Sequence, residues 1–540
     1  PNPDCKYSDF DSPEVKQYAG MAGCDMPDKI CPKCGTKMKK EGFEIPFETF
    51  LGFKGDKEPD IDLNFSGEYQ ANAHRYTEVI FGKGQTFKAG TIGTLAEKTA
   101  FGYVKNYYEE RGQHKRYCEI NRIVQGCTGI RRTTGQHPGG IIVLPVGVEI
   151  EKFTPVQHPA NDENSDIITT HFDYHSIDGN LLKLDILGHD DPTMIRMLED
   201  LTGLSARDVP LDSKEVMSLF ASTDALGIKP EDIGGCKLGC LGVPEFGTDF
   251  AMQMLIDTKP KYFSDLVRIA GLSHGTDVWL GNAQTLIEEG KATISTAICT
   301  RDDIMTYLIN KGMDSEESFT IMERVRKGTV AKGKCKEWPE FKKDMAEHNV
   351  PDWYVWSCEQ IKYMFPKAHA AAYVMMAYRI AYCKINYPLA YYGAYFGIRA
   401  DAFSYEIMCQ GKEKLQYYID DYNRRSATLS KKEQDTMKDM KIVQEMYARG
   451  FEFEPLDIYK AQATKFLIVN GKLMPPLSSI DGMGEKAAEA VAEASKDGTY
   501  LSLDDFRQRT KASKTVIDTM VDLGILADLP ASNQLSLFDF

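Results

Sequence analysis

The sequence predicts a multidomain α+β protein, because strand-like and helix-like patterns occupy separate stretches of a long chain. Residues 59–65 alternate acidic and apolar side chains with the period of two that is typical of a strand. A second strand is predicted over residues 180–188, where apolar residues fill alternate positions. From about residue 200 to residue 455, by contrast, most segments carry the 3.6-residue apolar period of amphipathic helices.

The length and composition set the broad class. At 540 residues the chain is too long for one hydrophobic core, so we expect several domains. An apolar content of 42% and a charged content of 26% are typical of globular proteins. No apolar run of about 18 residues and no signal-peptide pattern is present, which predicts a cytoplasmic protein without a membrane span. Pro1 cannot be an initiator, so we expect a processed chain or a piece of a longer one.

The candidate catalytic residues are three aspartates on the two predicted strands. Asp60 and Asp62 are two positions apart, so their carboxylates share one face of the first strand. Asp185 shares a face of the second strand with Lys183. Neighbouring carboxylates repel one another unless a cation lies between them, and Mg²⁺ prefers such oxygen ligands. The pattern therefore predicts two Mg²⁺ ions, as in phosphoryl transfer. Two alternatives stay open: a common loop Asp-x-Asp, and a lone Asp185 paired with Lys183.

A group of four cysteines near the start differs from the other scattered thiols. The chain has 13 cysteines, an odd number that argues against a disulfide framework. Cys31 and Cys34 belong to a Cys-Pro-Lys-Cys-Gly sequence, whose tight turn can bring two thiolates onto one tetrahedral zinc ion. Cys5 is a third ligand candidate. Either Cys24 completes the site or a ligand precedes the chain, and free thiols are the alternative.

Basic clusters indicate nucleic-acid binding despite the net charge of −15, because local groups of Lys and Arg decide phosphate binding. Two such clusters occur: Arg324, Arg326, Lys327, Lys332, Lys334 and Lys336, and Arg507, Arg509, Lys511 and Lys514. Each cluster could equally be an ordinary solvated face.

Residues 66–130 are predicted to be mostly helical with glycine-rich breaks. A glycine-rich stretch at 133–140 then leads into a short buried strand at 141–144. Three glycines and a histidine at a strand entrance would let the backbone approach a phosphate or a base closely. A glycine-rich turn that binds nothing is the alternative.

The helical region contains a candidate nucleotide-binding helix start at residues 365–373. Pro366 opens the helix, and small residues follow it. His369 and Tyr373 are four positions apart and share a helix face, so an imidazole and an aromatic ring could contact a nucleotide together. Tyr373 as an ordinary core residue is the alternative.

The last 90 residues or so form a different module. Residues 480–488 have the form of a helix-hairpin-helix, in which Gly482 and Gly484, with Lys486 beside them, would leave backbone N–H groups open to a DNA phosphate. The chain ends in a peptide with one glutamine and two apolar anchors, which could dock in a hydrophobic pocket of a partner. These tail residues are Gln534, Leu537 and Phe538.

Five motifs together closely resemble the PolC-type replicative DNA polymerase III alpha subunit of Gram-positive bacteria. They are Pro-Asp-Ile-Asp-Leu-Asn-Phe-Ser at 59–66, Arg-Thr-Thr-Gly-Gln-His-Pro-Gly-Gly at 132–140, Lys-Leu-Asp-Ile-Leu-Gly-His-Asp-Asp-Pro-Thr at 183–193, Ser-His-Gly-Thr-Asp-Val-Trp at 273–279 and Phe-Pro-Lys-Ala-His-Ala-Ala-Ala-Tyr at 365–373. The resemblance runs through essentially the whole chain in order.

The resemblance implies a Polβ-like palm with an inserted thumb, helical fingers and a C-terminal helix-hairpin-helix domain. The implied boundaries are a zinc-binding segment at 1–40, palm at 41–90 and 141–200, thumb at 91–140, fingers at 201–455, a duplex- and clamp-binding domain at 456–530 and a clamp-binding tail at 531–540. The implied activity is DNA-directed DNA polymerisation in chromosome replication. The implied partners are primer-template DNA, dNTPs, the sliding clamp and other replisome subunits.

The resemblance also assigns residue roles. It implies that Asp60, Asp62 and Asp185 bind the two catalytic Mg²⁺ ions. Residues implied to lie near the incoming nucleotide are Arg326, Lys327, Lys367 and His369. Cys5, Cys31 and Cys34 match the zinc cluster of the family, and the terminal peptide matches the segment that docks on the sliding clamp.

The beginning of the sequence departs from the family, because the OB, PHP, exonuclease and Gly-Ser segments that precede the palm in PolC proteins are not in it. Two rival functions therefore stay open. One is a DNA- and clamp-binding fragment without catalysis. The other is a two-metal nuclease, which fits the carboxylates but leaves the large helical region without a task.

Overall fold

A computed structural model describes residues 2, 4–55, 57–59 and 61–532. The chain divides into two compact units. The smaller unit is Phe50–Thr193, and the larger unit joins Pro1–Thr49 to Met194–Phe540. The predicted class is confirmed, since a β-sheet occupies the smaller unit and helices dominate the larger one.

The described residues of the first part of the chain form helices of 4 to 13 residues and a six-stranded sheet. Its elements are α1 (Pro13–Lys16), α2 (Glu48–Leu51), β1 (Ile61–Ser66), α3 (Gln70–Phe81), β2 (Thr86–Thr94), α4 (Glu97–Glu109), α5 (Tyr117–Cys127), β3 (Arg131–Val143), β4 (Val156–Gln157), β5 (Thr169–Thr170) and β6 (Leu182–His189).

The sheet has the strand order β1-β6-β3-β2-β5-β4. β1 runs parallel to β6, and β3 is antiparallel to both β6 and β2. One face packs around the buried residues Leu184 and Ile186, with Ala73 of α3 against them. Gln70 ties α3 to the sheet, because its side-chain amide donates to the carbonyl oxygen of Ile186 at 2.8 Å. Asp62 and Asp185 lie on the opposite face of β1 and β6.

The expectation of a mostly helical stretch over residues 66–130 is wrong in part. The structure has a long antiparallel pair, β2 and β3, and β3 is a strand of 13 residues rather than the short one expected at 141–144. Glycines permit close contacts within the sheet: a Cβ added at Gly90 of β2 would lie 1.8 Å from the carbonyl oxygen of Thr170 in β5. The glycines that suggested helix breaks therefore mark close contacts within the sheet. Between the two strands, α4 and α5 pack on each other through Ala100, Val104, Ile120 and Val124.

The remaining elements follow α6, which leads out of the sheet. They are α6 (Asp190–Thr202), α7 (Lys214–Ser218), α8 (Asp249–Thr258), α9 (Phe263–His274), α10 (Gln284–Glu288), α11 (Arg301–Asn310), α12 (Ser315–Arg326), α13 (Trp338–Glu347), α14 (Asp352–Gln360), α15 (Lys367–Asn386), α16 (Pro388–Ala394), α17 (Tyr405–Met408), α18 (Lys412–Arg424), α19 (Lys431–Ala448), β7 (Leu467–Val469), β8 (Lys472–Met474), α20 (Glu485–Ala494), α21 (Leu503–Thr510) and α22 (Lys514–Asp522).

The helix α15 passes through the core of the larger unit. Small and aromatic residues line it on several sides, and Ala370, Val374, Ala377 and Tyr378 are buried. A helix that is apolar around most of its circumference is stable only when other helices surround it. In the described part of the chain, no helix is long and apolar enough to cross a membrane.

A second hydrophobic core belongs to the C-terminal module. Ile480, Met483, Val491, Phe506 and Met520 are buried in it. These residues come from the turn before α20 and from α20 to α22, so the hairpin has its own packed support.

Candidate functional site

Two of the three predicted catalytic aspartates lie side by side on neighbouring strands. In the parallel pair of β1 and β6, Asp62 is the register partner of Asp185. The two residues lie 123 positions apart in the sequence, and directly paired residues project from the same face of a sheet. Asp62 is exposed, and the side chain of Asp185 is 24% exposed. Asp60 lies outside the described residues.

The two carboxylate oxygens of Asp185 have different surroundings. Oδ2 lies 3.0 Å from the Nζ of Lys183, which is the ion pair that the sequence left open as an alternative. Oδ1 is buried and has no hydrogen-bond partner among the described residues. An unsatisfied buried carboxylate oxygen is costly, and a bound cation would remove that cost. The donor set beside Asp62 therefore fits a hard divalent cation such as Mg²⁺.

His137 borders this carboxylate but does not form an ion pair with it. Its Nδ1 lies 3.7 Å from the Oδ1 of Asp185. The same Nδ1 accepts the backbone N–H of Gly140 at 2.7 Å and that of Gly139 at 3.2 Å, so it carries no proton. Burial, together with the positive charge of Lys183, lowers the pKa of His137. The Nδ1 of His137 is therefore an acceptor and offers no hydrogen to the Oδ1 of Asp185.

Gly140 leaves room for the ring of His137 next to Asp185. It is the register partner of Asp185 across β3 and β6. A Cβ at this position would lie 2.9 Å from the Nδ1 of His137 and 3.1 Å from the Cβ of Ala89. The glycine-rich stretch, which the sequence suggested could approach a phosphate or a base, thus packs next to the aspartate site as part of β3.

In the larger unit, the predicted nucleotide-binding residues Arg326 and Lys327 lie at the end of α12 and share one acidic partner. The guanidinium of Arg326 donates to the Oε2 of Glu323 at 2.9 Å, and the Nζ of Lys327 lies 3.3 Å from the same oxygen. The side chain of Arg326 is 14% exposed and that of Lys327 is 58% exposed. The backbone N–H of Met364 donates to the carbonyl of Arg326 at 3.1 Å. This bond brings the end of α12 to the segment that precedes α15.

The other two predicted residues, Lys367 and His369, open α15. The ring centroids of His369 and Tyr373 are 4.7 Å apart, as their helical spacing predicts. The ring of Phe365 also contacts that of His369, with the centroids 4.9 Å apart and the planes tilted by 33°. We call Phe365, His369, Tyr373 and His274 the ring cluster.

Sequence reasoning missed two residues of this region. His274 lies at the end of α9 and its ring contacts the other three members of the ring cluster. Glu245 forms a short contact with the Nε2 of His274. The string Ser-His-Gly-Thr-Asp-Val-Trp carried a signal for His274, whereas Glu245 lies in a loop with no motif.

The helix-hairpin-helix candidates Gly482, Gly484 and Lys486 lie at the start of α20. Gly482 has a φ of +85°, a conformation that favours glycine. Gly484 is the N-cap of α20, and Lys486 is exposed in the first turn. The tail residues Gln534, Leu537 and Phe538 lie outside the described residues.

Three of the four candidate zinc ligands come together. The sulfur atoms of Cys5, Cys31 and Cys34 all lie within 4.8 Å of one another, and hydrogen bonds with Thr36 lower the pKa of the Cys34 thiol to about 7. Three convergent sulfurs, one of them easily deprotonated, fit zinc. Cys24 is not in this group: it is buried in the helical core, where burial raises its thiol pKa to about 12.

Comparison with protein families shows that both units are similar to domains of bacterial DNA polymerase III alpha subunits. Residues 191–349 match the family described as bacterial DNA polymerase III alpha subunit finger domain. Residues 30–111 and 103–188 match the family described as bacterial DNA polymerase III alpha NTPase domain. Residues 450–535 match a helix-hairpin-helix motif.

Three similar individual proteins are all of the PolC type. The DNA polymerase III PolC-type of Caldanaerobacter subterraneus subsp. tengcongensis is 58% identical over 536 residues, which is 99% of this chain and 38% of that protein. The proteins of the same name from Clostridium perfringens and Bacillus subtilis are 56% and 54% identical, with 99% of this chain and 36% of each protein covered. The chain is thus similar over nearly all its length to PolC-type DNA polymerase III, and it spans little more than a third of these curated relatives.

Proposed function

We propose that the chain carries the nucleotidyl-transfer portion of a replicative DNA polymerase of the PolC type. The observation that carries the proposal is the register of Asp62 with Asp185, together with the unsatisfied Oδ1 of Asp185. The names of the relatives point to the same reaction. In this assignment, the sheet of the smaller unit is the palm, α4 and α5 belong to an inserted thumb, and the helices up to about residue 455 are the fingers.

The aspartates would hold the catalytic ions. Asp62, Asp185 and Asp60 are the proposed ligands of two Mg²⁺ ions, which when bound supply activation of the primer hydroxyl and charge neutralisation at the phosphates. Lys183 limits the negative charge at this face, because it neutralises one oxygen of Asp185 and leaves the other for a cation. No protein nucleophile is needed, so the acidic face acts by orienting oxygen ligands.

The basic residues of the larger unit would hold the nucleotide. Arg326 and Lys327 offer N–H donors and positive charge for the triphosphate, and Lys367 adds a third cation. The rings of His369 and Tyr373 would support the base or the sugar. The glycines of the hairpin would hold the DNA duplex by its phosphates, and the terminal peptide would bind the sliding clamp. The three-cysteine group would hold a structural zinc ion.

The rival that has an observation in its favour is a DNA- and clamp-binding protein without catalysis. The ion pair of Lys183 with Asp185 supports it, since a paired aspartate does not require a metal. The two proposals differ in what the aspartates do: only the polymerase requires both Asp62 and Asp185 to keep their charge.

Primer extension and DNA binding by this chain, measured side by side with Mg²⁺ and dNTPs, test the proposal. We expect wild-type extension, and a loss of at least about 100-fold in Asp62→Asn and Asp185→Asn with duplex binding retained. Glu163→Gln changes an exposed glutamate in the same unit and is the matched control. Duplex binding without extension by the wild type would favour the rival. Strand degradation without dNTPs would indicate a nuclease.

A further inference from the structure

His274 is the member of the ring cluster that does not belong to α15 or to the residues just before it. Its ring centroid lies 5.6 Å from that of Phe365, 5.5 Å from that of His369 and 5.8 Å from that of Tyr373. All three contacts are edge-to-face, with interplanar angles of 66° to 89°. Such contacts depend on ring orientation, so a rotation of the His274 ring would disturb all three neighbours.

Glu245 fixes that orientation. Its carboxylate accepts the Nε2–H of His274, and both side chains are largely buried, with exposed fractions of 17% and 20%. Glu245 has a φ of +67°, a left-handed conformation that is unfavourable for a residue with a side chain. Backbone strain of this kind persists only where surrounding contacts hold it, and it concentrates at functional positions.

Side chains of α15 and α16 form hydrogen bonds with the loop that carries Glu245. The buried Nζ of Lys384 donates to the carbonyl oxygens of Gly239 at 2.8 Å and of Leu241 at 2.6 Å. The hydroxyl of Tyr391 donates to the same Leu241 oxygen at 3.1 Å. Gly242, with a φ of +78°, leaves no room for a Cβ, which would lie 2.7 Å from the Tyr391 hydroxyl oxygen. The loop is therefore a rigid support for the carboxylate.

We propose that Glu245 and His274 are positioning residues that hold the rings of His369 and Tyr373 in the arrangement that receives the incoming nucleotide. The inference rests on the proposed polymerase function and adds to it two residues that need not touch the nucleotide. Glu245 selects the His274 tautomer with hydrogen on Nε2, and His274 then supports the two rings edge-on. The contribution is made before nucleotide binding, so it acts on nucleotide affinity more than on the chemical step.

The test compares three variants at position 245 in the whole chain. Glu245→Ala removes the hydrogen-bond acceptor of His274, and Glu245→Gln keeps a neutral acceptor. Glu245→Asp keeps the negative charge, but its side chain is one methylene shorter, so the carboxylate lies farther from His274. We expect the KM for dNTP to rise about ten-fold in Glu245→Ala with kcat within about two-fold, and Glu245→Gln to recover most of the loss. Glu231→Ala, at an exposed glutamate of the same unit, is the control.

Two further measurements separate the failure of this inference from the failure of the proposed function. The first is titration of primer-template complexes with a dNTP that carries an α,β-imido bridge, which reports binding without turnover. If the wild type and Glu245→Ala bind this analogue equally well, the positioning role is wrong and the polymerase assignment is unaffected. If the wild type binds no nucleotide, both the positioning role and the polymerase assignment are wrong.

The second measurement is ¹⁵N NMR of the histidine rings, which reports the tautomer of His274 directly. We expect the Nε2–H tautomer in the wild type, and a mixture of tautomers in Glu245→Ala. If Glu245→Ala does not fold, Glu245→Asp replaces it, with an expected rise in KM of about three-fold. A wild-type KM in Glu245→Asp, or unaltered His274 signals in the folded variant, would overturn the proposal.

Discussion

Asp302 accepts the backbone N–H of Lys367 at 2.7 Å, although the two residues lie 65 positions apart in the chain. The N-cap of α15 is Pro366, which has no side-chain acceptor, so Asp302 of α11 caps this helix from outside. Beside it, the backbone N–H of Arg301 donates to the carbonyl of Phe365 at 3.2 Å. The start of α15, where the proposed nucleotide-binding residues lie, is thus fixed by the start of α11.

Replacement of Asp302 tests this cap. Asp302→Ala leaves the N–H of Lys367 without its acceptor in a partly buried place, and we expect a loss of about 1–2 kcal/mol in the free energy of unfolding. Asp302→Asn keeps an acceptor oxygen and should lose clearly less. Urea unfolding of both variants measures the difference. Equal losses in the two variants would show that the cap contributes nothing.

The ion pair of Lys384 with Glu445 predicts a second, larger effect on stability. Both side chains are fully buried, and the Nζ–Oε1 distance is 2.8 Å. Lys384 also donates to two carbonyl oxygens, and the hydroxyl of Tyr392 donates to Glu445 at 2.6 Å. Glu445→Ala would leave a buried ammonium uncompensated, and we expect a loss of about 3–5 kcal/mol.

A double-mutant cycle distinguishes this pair from ordinary packing. Lys384→Met alone should be similarly costly, because it leaves Glu445 charged and buried. The combination of Lys384→Met with Glu445→Leu should be less destabilising than the sum of the single changes by more than about 1 kcal/mol. Additive losses would mean that the two charges do not depend on each other.

Asp439 predicts a pH dependence of stability. It is 1% exposed, and burial raises the pKa of its carboxyl to about 6, although the backbone N–H of Ala402 donates to it at 2.9 Å. The folded protein therefore holds this proton more tightly than the unfolded chain. The contribution of Asp439 is most favourable below the unfolded pKa of about 4 and is lost as the pH rises through about 6.

Asp439→Asn isolates this effect. The amide oxygen can still accept the N–H of Ala402, but no charge forms at neutral pH. We expect the variant to be more stable than the wild type by about 1–3 kcal/mol at pH 7 and to lose this advantage near pH 4. Glu413→Gln, at an exposed glutamate of the same unit, is the control. A difference that does not change between pH 4 and pH 7 would refute the prediction.

The sequence predicts some parts of the site and not others, for physical reasons. The alternation around Asp62 and Asp185 predicted which side chains share a strand face, because the period of a strand is local information. The distance of four positions between His369 and Tyr373 likewise predicted their ring contact. In both cases the prediction needed only the geometry of one element or of one strand pair.

What the sequence does not predict depends on contacts between distant segments. Gly90 and Gly140 suggested breaks and loops, yet each permits a close approach within the sheet that only the folded pairing defines. Glu245 and Asp302 act on residues of other helices and belong to no motif. Cys24 was a candidate fourth ligand but has the surroundings of a core residue, and the positions of four cysteines in the sequence do not show which of them is buried.

The three-cysteine group gives the last prediction, because it separates ligands from ordinary thiols within the same segment. We expect protein purified without chelator to contain about one zinc ion per chain, measured by elemental analysis. Cys31→Ser and Cys34→Ser should lose the metal, since each removes one of the converging sulfurs. Cys24→Ala should keep it, because that thiol is buried in the helical core away from the group.

Metal removal should have a local consequence in the larger unit. The residues between Cys5 and Cys34 include Ala22 and Cys24, which pack into the same core as α15. Loss of zinc frees the ends of this segment, so we expect chelation to lower the free energy of unfolding of the wild type and of Cys24→Ala alike. Cys34→Ser should not respond to the chelator. Wild-type protein that holds no zinc, or a Cys34→Ser variant that still binds it, would mean that these sulfurs converge for another reason.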